Sequence, residues 1–214
     1  MSHTLHREGS IESLKGDYVV LCMSSQGRNV KGSGPKFQRY FEIARQFDPV
    51  NIGENKNTGS LAAFDYDTIV EKTNDGCVCL VVFDDPQKVV GFLRALKKED
   101  LGLSVVVSGL MDQVKECCEQ ADLKVHTINL SLGVHGKVEK LVGDKEREVT
   151  TMCGHGMITG AMVLYYVDRI RKGLCTAEFA SNELCKLCIC GAFNPARSAK
   201  LLQAMADAPA EPKA

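Results

Sequence analysis

Between residues 17 and 130, short apolar runs alternate with amphipathic stretches of helical period, and this alternation restricts the fold more than any other feature. The run Asp17-Tyr-Val-Val-Leu-Cys-Met-Ser24 is apolar and β-branched and follows Gly16, which reads as a buried strand. A helix is expected over 35–46, where Ser33-Gly34 supplies the start and Pro35 suits the first helical position. Residues 50–52 form a short second strand, 53–60 a polar Gly/Asn-rich loop, and 63–71 another helix. The strand 77–83 follows, then a helix opened by Asp85-Pro86 that runs to Lys98, with its stop near Gly102. A strand at 103–107, a helix at 110–120 and a strand at 124–130 complete the series. Apolar strands separated by helices predict βαβ units, so the expected fold is α/β. It is a Rossmann-like three-layer sandwich with a mostly parallel sheet over 16–133, behind an N-terminal extension at 1–15.

The pattern changes near Gly133. Residues 134–149 are charged and suit a hairpin or connector, and helices are expected over 156–172, 176–184 and from Asn194-Pro195 to about 206. Residues 134–206 are thus expected to be a helical lobe packed on the sheet domain, and 207–214 a disordered Pro/Ala tail.

That lobe carries Cys185-Lys-Leu-Cys188-Ile-Cys190-Gly191, three thiols within six residues, with Cys153-Gly-His155-Gly156 upstream. Thiolates are soft ligands that favour zinc or iron–sulfur clusters over magnesium or calcium. Cys185, Cys188, Cys190 and Cys153 are the expected ligands, with Cys175 or His155 as substitutes for Cys153. One compact trio with a remote single thiol favours a [4Fe–4S] cluster, and zinc is the alternative. Buried packing cysteines are the plainer reading of the same density.

Cys153 stands just before the expected helix, whose dipole would lower its pKa, and His155 follows two residues on. The five residues Met152-Cys-Gly-His-Gly156 resemble the cysteine motif of the proline racemase family. The resemblance implies a metal-free enzyme in which Cys153 serves as acid/base at a substrate α-carbon. No second matching motif follows downstream.

Arg28, Lys31, Ser33, Gly34 and Lys36 lie in a glycine-rich loop without acids after the first strand, a cradle for a small anionic ligand or simply a solvated loop. Walker and dinucleotide patterns both fail there, since Ser33 stands where a lysine is needed and a third glycine is missing. Lys plus Arg number 26 and Asp plus Glu 27, which argues against a nucleic-acid partner. No apolar run is long enough for a membrane span and the N-terminus lacks a secretory pattern, so a cytoplasmic protein with reduced thiols is expected. A homodimer or a redox partner protein accords with this reading. The expected function is an iron–sulfur enzyme acting on a small anion by Lewis-acid, sulfur-transfer or redox chemistry. The alternatives are a zinc-stabilised, non-catalytic binding protein and the cysteine racemase.

Overall fold

The computed structural model describes residues 3–209 of the chain. A 3-10 turn at His3–His6 and the single-turn helix α1 (Ile11–Leu14) lead into strand β1 (Tyr18–Met23). Next come α2 (Gly34–Arg45), β2 (Asn51–Glu54), α3 (Tyr66–Lys72), β3 (Val78–Phe83), α4 (Pro86–Glu99), β4 (Ser104–Ser108) and α5 (Met111–Gln120). Four further helices follow, α6 (Asp144–Thr150), α7 (Gly160–Arg171), α8 (Ala177–Cys185) and α9 (Pro195–Asp207). The caps explain several of the starts. Asp85 accepts from Gln87 N ahead of Pro86 in α4, and Asn194 accepts from Arg197 N ahead of Pro195 in α9.

The sheet has the order β2-β3-β1-β4, and every neighbouring pair is antiparallel. This overturns the Rossmann-like parallel sheet. β1 and β2 do run the same way, but β3 lies between them. β3 and β4 likewise run the same way with β1 between them. Each helical crossover therefore skips one strand, and the two interleaved units make a split βαβ arrangement. The misreading has a physical cause. Continuous apolar strands show that both faces of a sheet are covered, and they say nothing about strand direction.

Both faces are covered over the central strands β1 and β3. Tyr18, Val20 and Cys22 of β1 pack with Phe37, Tyr40 and Phe41 of α2 and Phe92 of α4 in one core. Val19 and Leu21, pointing the other way, pack with Val163 of α7, Leu184 of α8 and Leu202 of α9 in a second. The helices after residue 143 are thus the second layer on the sheet.

No strand forms at 124–130, which has no regular structure. Its alternating apolar side chains, Ile128 and Leu130 among them, face solvent. Alternation makes a strand only where a core receives one side, and the two cores are already filled by helices. The N-terminal residues pack on the sheet. Thr4 Oγ1 bonds Ser108 Oγ at 2.8 Å, and Arg7 pairs with the buried Asp17. Of the expected tail, Asp207 is the last residue of α9, 208–209 follow it, and 210–214 lie outside the described residues. No helix among the described residues is long and apolar enough to cross a membrane.

Candidate thiol and metal centre

The site is built on one contact between two glycines. A Cβ on Gly191 would lie 2.5 Å from Gly53 Cα, and one on Gly53 would lie 2.7 Å from Gly191 Cα. With φ at 75°, Gly191 also holds a conformation that L-residues avoid. The turn after α8 can therefore press its backbone onto β2. Asn51 of β2 fastens it there, its Nδ2 donating to Gly191 O at 3.1 Å and Phe193 O at 2.9 Å, while its Oδ1 accepts from Leu61 N.

Docking this turn buries Cys185, Cys188 and Cys190, and the turn after α6 brings Cys153 to them, also buried. The Cys188 and Cys190 sulfurs are 3.9 Å apart, and Cys190 Sγ is 3.7 Å from His155 Nδ1. Cys153 hydrogen-bonds to Cys188. The four side chains thus form a relay from Cys153 through Cys188 and Cys190 to His155, whose residue is exposed at the surface. Among the described residues, no group of three or more His, Cys, Asp or Glu side chains stands placed to hold a metal ion, and the contacts run pairwise.

The electrostatics of the relay have a direction. The hydrogen bond to Cys188 and burial hold the Cys153 thiol far above its ordinary range. Cys188 is drawn down by Cys153 but pushed up more by Cys190 and burial, to about 11. Cys190 lies below its usual value, chiefly because Cys188 donates to it. Within the relay, Cys190 is thus the thiol held down while Cys153 and Cys188 are held up. The lowered Cys153 expected at a helix start does not occur, because α7 begins only at Gly160, where Thr159 is the cap.

Cys185 stands slightly apart. Its sulfur accepts from Asn51 Nδ2 at 3.4 Å and lies 3.7 Å from Ser60 Oγ, and burial pushes its thiol to about 12. Cys175 is half-buried and hydrogen-bonded to Arg169. The structure therefore gathers Cys153, Cys188, Cys190 and His155, with Cys185 behind them on the sheet side.

Comparison with protein-family models, with curated proteins and with solved structures gave no match.

The loop of Arg28, Lys31, Ser33, Gly34 and Lys36 is held internally. The Asp75 carboxylate accepts from Gly32 N at 2.8 Å and Gly34 N at 2.7 Å, which are the amides an anion would need. Ser33 Oγ donates to Val30 O and accepts from Gly76 N. Arg28, Lys31 and Lys36 are exposed. A cleft of about 610 Å³ opens beside the loop, but Glu71 and Asp75 line it, and their charge opposes an anionic guest.

Sequence reading misses Arg7, Asn51 and Asp17. Arg7 donates to Ala192 O, to Met152 O at 3.4 Å and to Asp17, and so reaches the residues beside both cysteine turns. Asn51 inside the apolar run Val50-Asn51-Ile52 is a signal that could have been used, since a polar side chain buried in a strand requires partners.

Proposed function

We propose that Cys153, His155, Cys188 and Cys190 bind one soft divalent ion of the zinc type, and that this ion fastens the two cysteine turns together. The spacings of the relay carry the reading. Tetrahedral zinc with bonds of about 2.3 Å to sulfur and about 2.0 Å to nitrogen places its donors about 3.8 Å apart for two sulfurs and about 3.5 Å for sulfur and nitrogen. The 3.9 Å between Cys188 and Cys190 and the 3.7 Å between Cys190 and His155 lie close to those edges. A [4Fe–4S] cluster puts each thiolate on a different iron, which needs sulfurs set wider than touching thiols, so the contacts favour a single ion. Four protein donors leave no open position for substrate, which favours a structural ion over a Lewis-acid catalyst. The His155 turn has room to adjust, since a Cβ on Gly156 would meet nothing within 4 Å. None of the ten cysteines is in a disulfide, which suits the reducing cytoplasm.

Metal content of single variants tests the assignment. Cys188→Ser is expected to abolish stoichiometric zinc, and Cys185→Ser to retain it. Retention by Cys188→Ser, or loss by Cys185→Ser alone, contradicts the ligand set.

The contact between Cys190 and the exposed His155 favours a second reading, a metal-free cysteine–histidine pair for nucleophilic or acid/base chemistry. Cys190 then takes the place that the racemase-like motif assigns to Cys153. Selective alkylation of Cys190 in protein purified without metal supports that reading, and equal resistance of all the buried thiols removes it.

A further inference from the structure

Arg7 occupies an unusual place for a charged side chain. It is almost completely buried, and its guanidinium joins three segments distant in sequence. Nη1 donates to Asp17, and Nη2 donates to Ala192 O and to Met152 O at 3.4 Å. Met152 precedes Cys153, and Ala192 lies two residues after Cys190, so one planar group spans both metal-binding turns. Its Nε is buried and has no hydrogen-bond partner among the described residues. Burying an arginine with a donor left over is unfavourable unless negative charge lies nearby.

The surrounding charges show where the deficit lies. Asp17 is fully buried and pairs with both Arg7 and Arg197, the latter at 3.0 Å. Asn194 Nδ2 also donates to Asp17, at 3.0 Å. Two guanidiniums thus share the one fully buried carboxylate. Glu148, a quarter exposed, pairs with Arg197 at 3.7 Å, so the second carboxylate serves that guanidinium while Arg7 has only its share of Asp17. Three thiolates and a neutral imidazole around a divalent ion carry one net negative charge.

Resting on the metal reading above, we infer that Arg7 is the positioning residue of this centre: it clamps the Cys153 and Cys190 turns through their neighbouring carbonyls and supplies the buried positive charge that balances a three-thiolate divalent ion. Arg197 anchors the same carboxylate but donates to Ser13 Oγ and Glu8 O, and to neither cysteine turn. It is therefore the natural control for general destabilisation.

The experiment is an anaerobic titration of the reduced full chain with Co²⁺, whose ligand-field and thiolate charge-transfer bands report coordination, with affinity measured against a competing chelator. The wild type is expected to bind one tetrahedral Co²⁺. R7M is expected to bind at least about 10-fold more weakly, the scale of lost support to metal ligands, with R7K about 2- to 10-fold weaker because it keeps the charge but loses the fork. R197M is expected to unfold at lower denaturant concentration yet hold Co²⁺ within about 2-fold of wild type. Wild-type affinity in R7M overturns the role of Arg7 and leaves the metal reading intact. Equal weakening in R7M and R197M also overturns it, since that marks a purely structural part. If R7M does not fold, R7K decides, and unchanged affinity there overturns the inference. Failure of the wild type to take up Co²⁺ defeats the metal reading, and the inference with it.

Discussion

Glu54, at the end of β2, shows how much of this structure rests on single polar side chains. It is fully buried, and its carboxylate accepts from Lys56 N at 2.9 Å, Asn57 N at 2.6 Å, Thr58 Oγ1 at 2.9 Å and Cys77 Sγ at 3.2 Å. Burial by itself would raise its pKa, but these donors outweigh burial and hold it below the usual carboxylate value. A lowered folded-state pKa stabilises the protein above the unfolded value of about 4.3, and that contribution disappears as pH falls through the folded value. Glu54→Gln is expected to lower unfolding free energy at pH 7 by about 2 kcal/mol, the scale of hydrogen bonds to a charged group, and to flatten the acid limb of stability against pH. Denaturant titrations between pH 3 and 7 measure both. At Gly191 any Cβ collides with the Gly53 backbone and φ is unfavourable, so Gly191→Ala is expected to cost at least about 2 kcal/mol and to displace Cys190. A variant as stable as the wild type contradicts that packing. At this scale the sequence revealed the cysteines, because thiol density is itself a signal. It concealed Arg7 and Asp75, whose roles depend on partners brought together only by the fold.

Among the elements, the helices were read most faithfully. α2, α4, α5 and α9 begin and end within about two residues of expectation, because caps and apolar stripes are local properties. Strand direction and the status of 124–130 were not local, since each depends on what already covers the sheet. The loop before α2 is the element whose expected role changes most. Its amides are held by Asp75, whose carboxylate they keep below the usual range, the Gly34 and Gly32 amides contributing most. Asp75→Ala is expected to release the Gly32 and Gly34 amides to faster hydrogen exchange, with sulfate partly restoring protection in the variant and doing nothing to the wild type. Sulfate protection in the wild type contradicts the view that the carboxylate already fills this cradle.

At the scale of the molecule, both helical layers pack on β1 and β3, so neither has a core without the sheet. Cys22 and Cys79 lie opposite one another in the β1–β3 register and point into one core, while Cys185 and Cys188 belong to the other. Unfolding is expected to be a single transition, with thiol labelling in the two cores rising together in denaturant. Labelling of Cys188 well before Cys22 contradicts one cooperative unit. The sequence indicated a covered sheet and a separate helical lobe carrying the cysteines; that this lobe is the sheet's second layer, and that the strands are antiparallel, follows from which elements meet, and no local pattern records that. The central claim is that this second layer is closed by one ion on Cys153, His155, Cys188 and Cys190. Elemental analysis of anaerobically purified protein, with native mass measurement, tests it most directly. The account predicts one zinc-type divalent ion per chain. Four irons with matching sulfide, or a chain with no bound metal, contradicts it.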